Sequence, residues 1–136
     1  MYLVDTNIWL ELLLKQDKAE QVNKFFKTID SQLLNITEFS LYSIGIIMIR
    51  LKKEELFRLF LLDIFKESNV GNIRLDVEDF EDIIKTYRNY KLDFDDSYQY
   101  VAAKKYGLTL VSFDSDFDHT DIGRKTPEEI LEGLQS

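Results

Sequence analysis

Short apolar runs alternate along this chain with longer stretches whose apolar residues recur every three to four positions. The first run, Tyr2–Val4, is followed by a helical pattern, and similar apolar runs at 33–36, 73–75 and 108–113 lie between other helical patterns. Short apolar runs are typical of buried strands, and the longer period is that of an amphipathic helix. The pattern therefore predicts an α/β fold, a three-layer α/β/α sandwich whose central, mostly parallel sheet has four to five short strands.

Capping residues predict where several of the helices begin and end. Thr37 and Asp76 are expected to cap the third and fifth helices, because their side-chain oxygens can accept hydrogen bonds from the free N–H groups of a first turn. Gly107 is suited to the end of the sixth helix. Thr126 followed by Pro127 marks the start of the last helix.

The third and fourth predicted helices each have a feature that points to a contact with another helix or chain. Gly45 lies inside the third helix, where it weakens the helix, so a close helix contact is expected there. The fourth helix is apolar around nearly its whole circumference over 56–65. Such a helix must be covered on several sides, which predicts a homodimer or a partner interface.

Composition limits the possible chemistry. The chain has 136 residues, enough for a single domain over 1–136, and it contains no cysteine and one histidine, His119. Disulfides, thiol catalysis and thiolate metal sites are therefore excluded, and a histidine-based triad is disfavoured. Any metal site must be built from oxygen ligands, which points to Mg²⁺ or Mn²⁺.

The net charge of −8 argues against a nucleic-acid partner unless several acidic residues converge on cations that cancel their field. The most apolar stretch, 33–49, contains Asn35, Glu38 and Ser40 and is too short to span a membrane. We expect a cytoplasmic protein with no leader segment and no membrane partner.

Four acidic residues stand where strands end or where the next helix begins. Asp5 and Asp114 follow apolar runs, whereas Glu38 and Asp96 lie in the first turns of predicted helices. Right-handed crossovers bring the carboxyl ends of parallel strands to one edge, where ligands bind. Because four carboxylates that close together would repel one another, the sequence predicts a metal site.

These positions also have purely structural explanations. Asp5 could be only a helix-start residue, Glu38 could only complement a helix dipole, and the acids after the last strand could be turn residues. The acidic segment 93–96 leaves open which carboxylate is the ligand. Asp93 and Asp96 are three residues apart and share a helix face, so one can bind while the other supports it.

Four segments, in order and at fitting spacings, resemble the PIN-domain family and, within it, the VapC-type ribonuclease toxins of prokaryotic toxin–antitoxin pairs. These segments are LVDTNIWLE, NITEFS, LDFDDSYQYVAAKKYG and LVSFDSDF. The resemblance covers essentially the whole chain. It implies a three-layer α/β/α fold and an Mg²⁺- or Mn²⁺-dependent endoribonuclease, commonly a homodimer, that a cognate antitoxin neutralises.

The resemblance also assigns site residues by position. The catalytic acids fall on Asp5, Glu38, Asp96 and Asp114. The implied metal ligands are Asp5, Asp96, Asp114 and a looser further acid, Asp116. Supporting roles are expected for Thr6, Asn7, Asp93 and Ser112. The chain departs from the family pattern at Ser112, where threonine is usual, and at Ser97, where alanine is usual.

The predicted activity is hydrolysis of RNA phosphodiester bonds by a metal-activated water. One alternative is a haloacid-dehalogenase-like phosphatase, although Asn7 occupies the place where that class needs a second aspartate. Another is a non-catalytic PIN-like binding module. Basic residues near the rim of the site are expected to hold the RNA backbone, with Lys52, Lys53, Arg124 and Lys125 as candidates.

Overall fold

A computed structural model describes residues 1–135, and its centre is a sheet of four short parallel strands. The strands are β1 (Tyr2–Val4), β2 (Leu34–Thr37), β3 (Gly71–Ile73) and β4 (Thr109–Val111), and their order across the sheet is β3-β2-β1-β4. Because β1 lies between β2 and β4, the residue that follows it emerges at the middle of the sheet's carboxyl edge.

Seven α-helices connect and cover the strands in the described part of the chain. They are α1 (Thr6–Leu14), α2 (Ala19–Thr28), α3 (Glu38–Arg50), α4 (Glu54–Leu62), α5 (Phe80–Tyr90), α6 (Phe94–Tyr106) and α7 (Pro127–Leu134). Within residues 1–135, no helix combines the length and the apolar character that crossing a membrane requires.

The sheet separates two hydrophobic cores. Val4 and Val111 belong to the core that includes residues of α1 to α4 and α7, whereas Leu3 and Leu110 belong to the core that includes residues of α5 and α6. Neighbouring strand residues point to opposite faces, so β1 and β4 each supply side chains to both cores. The predicted three-layer α/β/α sandwich is therefore confirmed, with four strands.

The predicted helix boundaries depend on caps that the structure shows. Thr37 accepts a hydrogen bond from the Ser40 N–H at 3.0 Å, and Thr126 accepts one from the Glu129 N–H at 3.1 Å. Gly107 ends α6 with φ of +65°, a conformation that glycine adopts without strain. Asp76 instead caps a short 3₁₀ turn, so α5 begins only at residue 80.

Two other local expectations have different outcomes. The third strand was predicted at 73–75 but lies at Gly71–Ile73, because the Leu75 N–H donates to the Tyr98 hydroxyl at 3.0 Å rather than to a strand. The close contact expected at Gly45 is confirmed, since a Cβ atom there would lie 3.2 Å from the ring of Phe57. Helices α3 and α4 therefore touch at a position without a side chain.

Candidate metal centre

Asp5 follows β1 directly and lies buried at the carboxyl edge of the sheet. Its Oδ1 accepts hydrogen bonds from the Thr6 N–H at 2.8 Å and from Gln99 Nε2 at 3.0 Å, and its Oδ2 accepts one from Ser112 Oγ at 2.7 Å. Burial raises the pKa of Asp5, and the three hydrogen bonds oppose that rise. The carboxylate is thus fixed in orientation by groups from three separate parts of the chain.

Three further carboxylates meet beside Asp5. Asp96, Asp114 and Asp116 each offer an oxygen atom, and these atoms lie within 4.8 Å of one another. Asp96 comes from the first turn of α6, whereas the other two follow β4. Ser112 Oγ, which donates to Asp5, also accepts a hydrogen bond from the Asp114 N–H at 3.0 Å. Ser112 therefore links the buried acid to the cluster.

The electrostatics of this cluster favour a cation. Burial, followed by the hydrogen bond and charge of Asp114, raises the pKa of Asp96 to about 8. The three clustered groups are carboxylates, so the donor set is made of hard oxygen atoms, which Mg²⁺ and Mn²⁺ prefer. The residues present therefore fit the kind of metal that the sequence predicts.

A buried polar network beneath the site includes residues that the sequence did not identify. Gln99 Nε2 donates to Ser40 Oγ at 3.0 Å as well as to Asp5, and Gln99 Oε1 accepts a hydrogen bond from Thr37 Oγ1 at 2.8 Å. Ser40 Oγ also shares a hydrogen bond of 2.7 Å with Thr6 Oγ1. The available signal was weak: Gln99 stands three residues after Asp96, on the same face of the predicted sixth helix.

The remaining supporting residues, Asn7 and Asp93, lie at the starts of α1 and α6. Asn7 Nδ2 donates to Ser112 Oγ at 3.3 Å, and Asn7 Oδ1 accepts from the Phe113 N–H at 3.4 Å. Asp93 caps α6 and accepts a hydrogen bond from the Asp96 N–H at 2.9 Å. Of the three acids in that segment, Asp96 joins the cluster and Asp93 orients the backbone that carries it.

Glu38 does not join the acidic cluster. It occupies the first turn of α3, but its carboxylate accepts a hydrogen bond from the Tyr42 hydroxyl and lines a neighbouring pocket with Arg74. Asp5 and Asp96 instead line a pocket of about 240 Å³ together with Asp95. The catalytic role expected for Glu38 stays a prediction.

The candidate RNA-binding cations differ in their surroundings. Arg124 pairs with Asp118 at 2.9 Å and donates to the Ser112 carbonyl at 3.2 Å. The Lys125 N–H donates a hydrogen bond to the Leu110 carbonyl oxygen of β4 at 2.8 Å. Lys52 and Lys53 lie between α3 and α4 and do not line the pocket of Asp5 and Asp96. Their roles also stay predictions.

The arrangement agrees with a family match to the sequence. The family model for the PIN domain matches residues 2–123. The chain belongs to the PIN-domain family. This PIN domain places its acidic residues at the carboxyl ends of β1 and β4 and at the start of α6. No curated protein sequence matches the chain.

Solved structures share the same fold. A toxin–antitoxin complex from Klebsiella pneumoniae aligns with a TM-score of 0.75 at 18% identity, covering 93% of this chain and 98% of that one. VapC20 from Mycobacterium tuberculosis, described as a toxin that cleaves the sarcin–ricin loop, aligns with a TM-score of 0.76 at 14% identity, covering 90% and 96%. FitAcB from Neisseria gonorrhoeae aligns with a TM-score of 0.71 at 17% identity, covering 94% and 99%. The predicted PIN fold is confirmed, and the phosphatase alternative loses its support.

Proposed function

We propose that this PIN domain is an Mg²⁺- or Mn²⁺-dependent endoribonuclease that hydrolyses RNA phosphodiester bonds. The observation that carries the proposal is the cluster of Asp96, Asp114 and Asp116 oxygens within 4.8 Å beside the buried Asp5. Like charges are kept this close at a cost unless a cation neutralises them. A cluster of hard oxygen donors at the carboxyl edge of a parallel sheet is suited to a divalent ion and a phosphate substrate.

The described residues would have distinct tasks in that reaction. A bound divalent ion would supply Lewis-acid activation of a water and neutralise charge on the phosphodiester. Asp96, Asp114 and Asp116 would hold the ion. Asp5 is already oriented by hydrogen bonds from Gln99 and Ser112, so it needs no rearrangement before it acts.

The single histidine does not serve as a general base in this proposal. His119 is exposed, and its Nε2 lies 3.0 Å from the Tyr90 carbonyl oxygen. It does not line the pocket of Asp5 and Asp96. Proton transfer at the site is therefore left to the carboxylates and to water.

Cleavage of a mixed pool of structured RNA tests the proposal. The purified protein is incubated with Mn²⁺ and with EDTA, and the Asp5→Asn and Asp96→Asn variants are compared with it. Cuts should require Mn²⁺ and should disappear in both variants, because each removes one carboxylate charge from the site. Asp17→Asn is the matched control: it removes the same charge from an exposed position of the loop between α1 and α2 and should cut normally.

Two outcomes would contradict the nuclease. Retained cutting in both site variants would mean that a contaminant or another site is responsible. An absence of both cutting and Mn²⁺ binding would favour the non-catalytic binding module. Circular dichroism of each variant verifies that the fold is intact, so a loss of cutting can be assigned to the site.

We also propose that the protein is the toxin of a toxin–antitoxin pair and acts as a cytoplasmic homodimer. Two of the similar structures are described as a toxin–antitoxin complex and as FitAB bound to a DNA fragment. In this chain, Ile46 and Ile49 on α3 and Leu59 on α4 are at least half exposed. These three residues and Phe57 are called the α3–α4 surface below, and a protein partner would remove its apolar area from water.

A further inference from the structure

A second pocket lies beside the candidate metal centre, and half of its lining residues are aromatic. Its volume is about 390 Å³, within the range of about 300–1,000 Å³ that is usual for small-ligand sites. Its lining includes Phe39, Phe80, Phe94 and Tyr98 with the charged residues Glu38, Arg74 and Asp76, and these residues define the aromatic pocket. Phe39 also lines the pocket of Asp5 and Asp96, so the two pockets adjoin.

The rings of the aromatic pocket form a partly exposed surface. Phe39 and Tyr98 stack with their centroids 5.1 Å apart, and Phe80 packs edge-on against Phe94 at 6.2 Å. Phe94 remains 48% exposed and Phe80 44% exposed. Unpaired nucleobases are recognised by stacking on such aromatic faces. Phe80 and Phe94 therefore keep ring surface that the fold itself does not cover.

A free cation stands at the same pocket. Arg74 is exposed, and its guanidinium has no hydrogen bond or ion pair with any of residues 1–135. The two carboxylates that line the same pocket do have partners: Glu38 accepts a hydrogen bond from the Tyr42 hydroxyl, and Asp76 lies 3.8 Å from the Lys105 ammonium. Guanidinium groups bind phosphate in a bidentate manner. In a chain with a net charge of −8, an unpaired arginine beside aromatic rings favours a ligand that combines a base with a phosphate.

The backbone places this pocket next to the proposed reaction. Glu38 and Phe39 belong to the first turn of α3, and Phe94 and Tyr98 flank Asp96 on α6. We propose that the aromatic pocket binds an unpaired nucleobase of single-stranded RNA, with Arg74 on the adjoining phosphate, and so selects the nucleotide next to the bond that is cut. This inference rests on the proposed nuclease function. It adds the part of the substrate that is recognised.

The test measures base stacking without cleavage. A short single-stranded RNA that carries 2-aminopurine is titrated with the Asp96→Asn protein, and stacking is detected as quenching of the 2-aminopurine fluorescence. Phe80→Ala and Phe94→Leu should each weaken binding roughly tenfold, because each removes one stacking ring. Phe94→Leu keeps an apolar side chain on α6, which protects the fold. Tyr87→Ala, an exposed aromatic residue of α5 outside the pocket, should bind as the parent does.

The arginine has its own readout. The slope of log affinity against log salt concentration is negative, and Arg74→Ala should make it less steep by about 0.7, the value for one phosphate contact on a single strand. Arg88→Ala removes the same charge from an exposed position of α5 and should leave that slope unchanged. An unchanged slope in Arg74→Ala would overturn the phosphate contact.

The outcomes separate this inference from the nuclease proposal. If the Asp96→Asn protein binds the RNA equally well with and without Phe80→Ala or Phe94→Leu, the proposed role of the aromatic pocket is overturned. An unquenched parent whose dimer is dissociated by Phe80→Ala would also overturn it and would assign the surface to a second copy of the chain. RNA cutting by the native protein without quenching would leave the nuclease standing and remove the pocket. Quenching without metal-dependent cutting by the native protein would support base binding in the aromatic pocket and contradict the nuclease.

Discussion

At the residue scale, the site depends on how a buried carboxylate is compensated. Asp5 is only 6% exposed, and a buried ionised group without partners is costly. Gln99 and Ser112 supply side-chain donors from α6 and from the segment after β4. Gln99 uses both its oxygen and its nitrogen, so it also satisfies Thr37 and Ser40. One amide therefore holds the first acid in place and joins it to the base of α3.

Replacing Gln99 by leucine should separate this positioning role from simple packing. Gln99→Leu leaves buried polar groups without partners, so the free energy of unfolding should fall by about 1–3 kcal/mol. Mn²⁺ binding should weaken roughly 10- to 100-fold, as is usual when residues behind a metal ligand are lost. Ser97→Ala is the control, since its buried hydroxyl donates only to the Leu92 carbonyl at 3.2 Å. Unchanged Mn²⁺ affinity in Gln99→Leu would refute the role.

The raised pKa of Asp96 makes the stability of the ion-free protein depend on pH. Its pKa of about 8 in the folded state exceeds the value of about 3.9 for an unfolded aspartate. Between those two pH values the folded protein holds the proton more tightly, so this group lowers stability as pH rises from about 4 to about 8. Asp5, whose pKa is also raised, contributes in the same direction.

Melting temperatures measured in EDTA across that pH range check this sign. Asp96→Asn cannot lose a proton, so its melting temperature should fall less between pH 4 and pH 8 than that of the native protein. Asp17→Asn should follow the native curve, because Asp17 is exposed and lies outside the site. A steeper fall in Asp96→Asn would contradict the predicted direction of the pKa shift.

At the scale of elements, the sheet relies on close strand contacts because its strands have only three or four residues. Asn35 of β2 is buried and donates to the Tyr2 carbonyl of β1 at 3.0 Å. On the other side of β2, Gly71 of β3 stands opposite Asn35. A Cβ atom at position 71 would lie 2.2 Å from Asn35 Oδ1, so β3 can pair in this register only when that side chain is absent.

Gly71→Ala should therefore displace the Asn35 side chain and lower the free energy of unfolding by about 1–3 kcal/mol. The loss should be smaller when Asn35 is already alanine, and a double-mutant cycle by urea unfolding measures that coupling. Gly133→Ala in α7 is the control: outside the adjoining backbone of α7, its Cβ would meet no atom of residues 1–135 within 4 Å. Additive effects of the two substitutions would show that this contact does not limit strand pairing.

At the scale of the whole molecule, apolar side chains of α3 and α4 are exposed to solvent. The apolar circumference of α4 predicted burial on several sides, yet Phe60 alone among the residues of α4 is buried and Leu59 is half exposed. The α3–α4 surface lies on the opposite side of the sheet from α5 and α6, since α3 and α4 contribute to the other core. A partner or a second copy at this surface would cover the apolar side chains that residues 1–135 leave exposed on α3 and α4.

Charges introduced at the α3–α4 surface test this assembly. Ile46→Lys combined with Ile49→Lys should convert the proposed dimer to a monomer in sedimentation equilibrium without changing the circular dichroism spectrum, because a buried lysine would lose its hydration. Ile84→Lys, on the exposed side of α5, is the matched control and should leave the dimer intact. A native protein that is monomeric at all concentrations would contradict the homodimer.

The sequence by itself determined the features that depend on neighbours along the chain. Apolar runs, helical periodicity and caps such as Thr37 and Thr126 predicted the α/β sandwich and the edge where the acids gather, because strand burial and capping are local. Tertiary structure alone decided which side chains meet. Gln99 donates a hydrogen bond to Asp5, 94 positions away in the sequence. Asp116, and not Glu38, joins Asp96 and Asp114 in the acidic cluster. Strand β3 begins at Gly71, two residues before the predicted start. Side-chain direction and strand register depend on contacts between distant segments, which no local pattern encodes.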